Sequence, residues 1–312
     1  MKKIIRKIKT ILRENKELKK VIKNQNKVAQ YLNENYIQAF FQGEFKNELN
    51  AKKHFEDEKI IWQYWAQGDD DNMPEIVRAC FESVDKNCDD YKIIRLNDEN
   101  ISEYLDFPYF VMEKLKNNDE FTYAFFSDLL RVALLALYGG VWIDATIYLS
   151  GKIEKRILEQ DFFAYQRTPK KPNDYKLWVK YNRDYFCWDK NYRVKLLSSF
   201  MISKKNNLIF RTLLDILLEY WKKENTLRHY FLLHLIFDEL MQYEEYSSLN
   251  TYSKSDLLPH VAQLGIQEKY NKELWDKMCL LSSIHKLTYF PTVQKESILE
   301  HILKTSVILN NH

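Results

Sequence analysis

The stretch from Ser127 to Gly151, SDLLRVALLALYGGVWIDATIYLSG, constrains the fold more than any other part of the 312-residue chain. An apolar run with helical spacing meets Gly139-Gly140 and passes into Val, Trp, Ile, Ile, Tyr and Leu, the pattern of a buried strand. Glycine accepts the left-handed conformation that stops a helix, so the pair marks a tight turn. A helix joined so closely to a buried strand points to a layered α/β fold. Yet Asp144 stands at the centre of that strand. A buried carboxylate without a partner is strongly unfavourable, so some group must hold it, and that group is the clue to function.

A helix over residues 121–138 puts Asp128 and Arg131 three apart on one face. Along the following strand Trp142, Asp144 and Thr146 alternate and are expected on one side of the sheet, with Ile143, Ala145 and Ile147 on the other. The end of a parallel strand is where α/β sheets place ligands. A nucleotide-sugar donor suits these groups. Its diphosphate is usually bridged by Mg²⁺ or Mn²⁺, which take carboxylate oxygens. Asp144 would hold the ion or a ribose hydroxyl, Asp128 would accept hydrogen bonds from the donor sugar, and Arg131 would orient Asp128 or neutralise the leaving phosphate.

The rest of the chain reads as one α/β domain with helical additions at both ends. KIIWQYW at 59–65, YKIIRLN at 91–97, DFFAYQ and SSFMIS are expected strands, and the first two open a parallel sheet. A helix beginning at Pro74 and the apolar helices IFRTLLDILLEYWKK and YFLLHLIFDELMQY lie between and after them, and KLTYFP is a last candidate strand. An apolar fraction of 46% allows a sizeable core, and only 6 Gly and 6 Pro argue against a loop-dominated architecture. The four cysteines show no CxxC spacing, which suggests a reducing compartment and no structural zinc.

Charge is unevenly spread. Residues 1–27 hold 11 Lys/Arg and 2 Glu, a local +9, and the remainder is −6. Ile4, Ile8, Ile11, Leu18 and Ile22 recur at helical spacing among those lysines. Such a basic amphipathic helix suits an anionic membrane surface, through residues 1–25, as well as a coiled-coil or packing role. A second helix is expected over 28–45, so the division is an arm at 1–50 and a body at 51–312. No signal-peptide core or run of about 18 apolar residues occurs, which places the protein in the cytoplasm, peripheral at the inner membrane face. Nucleic-acid binding would need a basic patch on the body, which is mildly acidic. Hydrolase, kinase and dehydrogenase chemistries find no Ser-His-Asp elbow, Walker loop, GxGxxG or HExxH to support them.

Residues 60–150 resemble the capsular polysaccharide synthesis proteins and the related glycosyltransferase family 32. IIWQYWAQG is similar to that family's first strand, and SDLLRVALLALYGGVWIDAT to its core motif of Asp-x-x-Arg helix, Gly-Gly turn and aromatic-x-Asp-x-Asp. The spacing from Asp128 to Asp144 also resembles that of the clostridial toxin glucosyltransferases. The resemblance implies a GT-A type, Rossmann-like nucleotide-sugar-binding domain, Trp65 beside the nucleotide base, and Trp142, Asp144 and Thr146 in the donor site. It further implies sugar transfer with retention to a surface polysaccharide or its lipid-linked precursor. The family's second aspartate is Thr146 here, so a metal would lose an anionic ligand. His285, in HKLTYF, is the candidate to complete the shell with Asp144 and Thr146.

Blander readings compete at several positions. Asp128 and Arg131 can be a helix-surface ion pair, Trp65 and Trp142 core aromatics, and Asp69, Asp70 and Asp71 a solvated loop. His234 and Asp238, four apart, can be a base and its orienter or simply core groups. A non-catalytic nucleotide- or carbohydrate-binding scaffold of the same fold is the alternative to an enzyme, and a coiled-coil interaction protein is the third.

Overall fold

The computed structural model describes residues 2–56, 59–68 and 72–307, without the side chains of 2–12, 14, 15, 306 and 307. Its central sheet is built from β1 (Ile60–Tyr64), β2 (Lys92–Leu96), β3 (Gly140–Ile143), β5 (Phe162–Gln166) and β6 (Leu196–Ser203) in the order β2-β1-β3-β6-β5. A small second sheet pairs β4 (Ile147–Leu149) with β7 (Ile284–Lys286). β1 lies parallel to both β2 and β3, whereas β6 runs antiparallel to β3 and β5. The sheet is therefore mixed, with the first two strands parallel as their sequences predict.

Local chemistry explains how the site-bearing segment folds. Thr122 caps the Tyr123–Leu137 helix, accepting a hydrogen bond from the Phe125 amide. At its other end Gly139 and Gly140 have φ of 75° and 95°, values that a side chain would strain. The Trp62 indole donates to the Gly139 carbonyl at 2.9 Å and ties the turn to β1. The helix then packs against the Leu208–Lys223 helix, with Phe125 stacked on Trp221 at 4.9 Å between ring centres.

Two expectations are corrected here. VWIDATIYLS is not one strand: β3 ends at Ile143, Asp144 makes a last rung to the Ser199 carbonyl at 2.9 Å, and the Ile147 amide turns back onto the Asp144 carbonyl. The chain leaves the central sheet there because β4 pairs with β7 instead.

The N-terminal segment likewise is one helix, Lys2–Leu32, that continues through short turns to Phe41 rather than breaking before residue 28. Its second half belongs to the body. Val28, Leu32, Tyr36 and Ile37 are buried in the main core, with Leu18, Val21 and Ile22 packed at its edge. Tyr31 and Tyr36 both donate to the Glu224 carboxylate, and Asn26 donates to the Asn191 carbonyl at 2.9 Å. The side chains of Ile4, Ile8 and Ile11 lie outside the described residues.

Candidate functional site

β1 and β3 end at the same edge of the sheet, and a cleft of about 740 Å³ opens there. Trp65, Asp128, Arg131, Asp144, Thr146 and Lys286 line it. The structure thus brings Asp128, Arg131 and Asp144 together, although they come from a helix and from the turn after a strand.

Arg131 sits between the two carboxylates. Its Nε is 3.5 Å from Asp128 Oδ1 and its Nη2 is 3.4 Å from Asp144 Oδ1. Other acceptors hold the guanidinium in place: the Ser127 carbonyl at 3.0 Å, the Ser127 hydroxyl at 2.8 Å and the Ser198 carbonyl at 2.7 Å. With a side chain only 7% exposed and donors committed on all three nitrogens, Arg131 acts as an internal brace for the carboxylates. It has little left to offer a phosphate.

Asp144 is the better-held carboxylate. The Trp142 indole donates to its Oδ1 at 2.7 Å, and Lys286 Nζ stands 3.6 Å from its Oδ2. Burial alone would raise its pKa, but Arg131, Lys286 and the indole together outweigh that and hold it below the usual aspartate value. Asp128 differs. Among the described residues its one polar partner is Arg131, so burial dominates and pushes its pKa up to about 6, with Asp144 adding to the rise. A buried carboxylate with a single long ion pair is a strong acceptor in want of donors, which sugar hydroxyls can supply.

Trp142 does not line the cleft. It is 1% exposed beneath Arg131, 5.1 Å from the guanidinium carbon, so it positions Asp144 rather than touching a ligand. Trp65 does line it, beside Tyr289. Thr146 is buried at the cleft wall and accepts a hydrogen bond from Lys286. His234 also lines the cleft and is pushed down to about 3 by burial and then by Arg131, so it is neutral at physiological pH. The base-and-orienter alternative finds no support among the described residues, since the Asp238 carboxylate pairs with Arg193 and Lys195.

His285 is misassigned by the sequence. It is fully buried on the other side of β7, where Nε2 meets the Ser150 hydroxyl at 2.9 Å and the ring packs near Trp275. Strand alternation turns its neighbour Lys286 toward Asp144 instead. Sequence reading missed Lys286, since its partner strand β4 is set by a pairing that no local pattern announces.

Mn²⁺ or Mg²⁺ would need several hard oxygen ligands. Asp144 offers the only carboxylate at this turn, and its two oxygens face Arg131 and Lys286. The Thr146 hydroxyl is taken by the same lysine. Among the described residues no group of three or more His, Cys, Asp or Glu is placed to hold a metal. Two like charges about 4 Å apart repel by roughly 4 kcal/mol at an effective dielectric of 20, so an ion brought to Asp144 would compete with an ammonium already there. These residues do not fit a divalent-metal site. Asp69, Asp70 and Asp71 lie outside the described residues.

No curated protein matches the chain. Among solved structures it is similar to one titled "PaToxG Glycosyltransferase", at 15% identity and a TM-score of 0.35, with 86% of this chain and 95% of that chain covered. The family described as "Capsular polysaccharide synthesis protein" matches residues 9–304. With nearly its whole length matched, the chain belongs to the capsular polysaccharide synthesis protein family.

Proposed function

We propose that the protein is a glycosyltransferase of capsule synthesis that moves a sugar from a nucleotide-sugar donor to a polysaccharide or its lipid-linked precursor, with retention of anomeric configuration. The observation that carries this reading is the Asp128–Arg131–Asp144 cluster at the carboxyl edge of β1 and β3, inside a cleft whose wall includes Trp65. Asp128 accepts hydrogen bonds from the donor sugar, Asp144 holds a ribose hydroxyl, and the Trp65 ring stacks on the base. In the transfer the bond from the anomeric carbon to the phosphate oxygen breaks and one to the acceptor oxygen forms on the same face. The acceptor's proton passes to the leaving diphosphate, so no protein nucleophile is required.

Family membership supports a role in polysaccharide synthesis, and the cleft's mixture of carboxylates, aromatics and a lysine supports a charged, hydroxyl-rich ligand. The basic first turns of the Lys2–Leu32 helix are the element that would hold the enzyme reversibly at an anionic membrane face, where lipid-linked acceptors sit. No described helix is long and apolar enough to cross a membrane. Calorimetric titration with UDP, GDP, CDP and their common sugars tests the donor assignment. One nucleotide class is expected to bind, and Trp65→Ala to weaken it about tenfold, the scale of one base stacked on an aromatic ring. Failure of every nucleotide to bind would overturn the reading, and binding without turnover would favour a scaffold.

A further inference from the structure

Of the side chains lining the cleft, two are Lys or Arg among the described residues: Arg131 and Lys286. A nucleoside diphosphate brings two or more negative charges, and its leaving group gains more as the glycosidic bond breaks. Arg131 is braced inside the wall by Ser127 and Ser198. Lys286 is the cation with room to act: its side chain is 23% exposed, and its named partners, Asp144 and Thr146, leave one of three ammonium protons for a ligand.

Its position is also telling. Lys286 bridges Asp144 and Thr146, the two positions that the Asp-x-Asp pattern would give to a metal's carboxylates. The replacement of the second carboxylate by a hydroxyl goes together with an ammonium arriving from β7, whose register puts Lys286 opposite Ile147. The Leu287 amide, donating to the Thr146 carbonyl at 2.8 Å, fixes the approach. A carboxylate pair would attract a divalent ion, whereas here a hydroxyl replaces the second carboxylate and an ammonium already stands beside the first.

We infer that Lys286 supplies in this chain the positive charge that a divalent ion would otherwise bring to the donor's diphosphate, so that donor binding does not depend on metal. This rests on the nucleotide-sugar reading given above. Lys286 lies at one side of Asp144 and Arg131 at the other, so a phosphate approaching the ammonium would remain next to the carboxylates that hold ribose and sugar.

The test measures the affinity of UDP, GDP and CDP for the full chain, in EDTA and with Mn²⁺, for the wild type, Lys286→Met and Lys286→Arg. The expected result is one nucleoside diphosphate whose Kd in EDTA and Mn²⁺ agrees within about twofold. Lys286→Met should weaken it at least tenfold more than it weakens the parent nucleoside, and Lys286→Arg should restore most of the loss. The nucleoside serves as the control for a folded cleft. Binding that requires Mn²⁺, or an unchanged diphosphate affinity in Lys286→Met, overturns the role of Lys286 and leaves the glycosyltransferase reading standing. No diphosphate binding under either condition overturns both.

Discussion

Two buried arginines in this molecule meet carboxylates in opposite ways. Arg167 is closed: Nε and Nη2 both bond Asp256, the Nη2 contact at 2.6 Å, and its remaining donors reach the Cys187 and Tyr185 carbonyls. The two side chains are 3% and 0% exposed, and Tyr185, Phe186 and Trp188 surround the guanidinium about 5 Å away. Arg131 is shared between two carboxylates at 3.4 and 3.5 Å, at the wall of an open cleft, and leaves Asp128 with a pKa raised to about 6. A pair whose geometry is complete holds structure together. A cluster that leaves one carboxylate short of donors is arranged for a ligand.

The largest effect expected from this contrast is on the closed pair. Asp256→Asn leaves the Arg167 guanidinium buried without its counter-charge and should lower unfolding free energy by about 3–5 kcal/mol, read from denaturant titration. A loss within 1 kcal/mol would remove the distinction between the two sites.

Asp128→Asn should behave in the opposite sense. Because the fold raises the Asp128 pKa above its ordinary value of 3.8, ionisation of that group opposes folding progressively as pH rises from about 3.8 to about 6. The opposition is fully present at pH 7, at roughly 3 kcal/mol, and is gone only below about pH 3. The asparagine variant is therefore expected to be more stable than wild type at pH 7, with the difference disappearing by about pH 3. A destabilisation at pH 7 would mean that Asp128 is a structural partner of Arg131 like Asp256 of Arg167. The same titration should give turnover an acid limb near pH 6, falling tenfold per unit below it, and a flat profile down to pH 4.5 would detach Asp128 from the reaction.

The smallest change concerns the arm. Ile8→Glu combined with Ile11→Glu should move the protein from the membrane to the soluble fraction with little change in Tm, because the contacts that dock this helix on the body, among the described residues, run from Leu18 to Ile37. Unchanged membrane recovery would sink the membrane-arm role.

The open cluster was largely legible in the sequence, and the closed pair was not. Asp128, Arg131 and Asp144 lie within 17 residues, so helix spacing and one glycine turn place them. Arg167 and Asp256 are 89 residues apart and joined by tertiary packing alone. Lys286 is 140 residues from Thr146, and choosing between it and His285 required the parity of a three-residue strand. The break at Asp144 was hidden for a related reason, since the apolar alternation runs unbroken through it and only pairing partners divide β3 from β4. The length of the N-terminal helix was misjudged because polar residues 23–27 interrupt its stripe, whereas Gln25 and Asn26 bond the body through Arg193.

The most direct measurement is release of nucleoside diphosphate from a panel of UDP-, GDP- and CDP-sugars with glycan acceptors, for wild type and Asp128→Asn. Wild type should consume one donor class and Asp128→Asn should be at least 100-fold slower, about 2.7 kcal/mol of transition-state stabilisation, with its fold intact. Equal rates for the two proteins, or no release from any donor, would contradict the assignment of this cluster as a glycosyl-donor site.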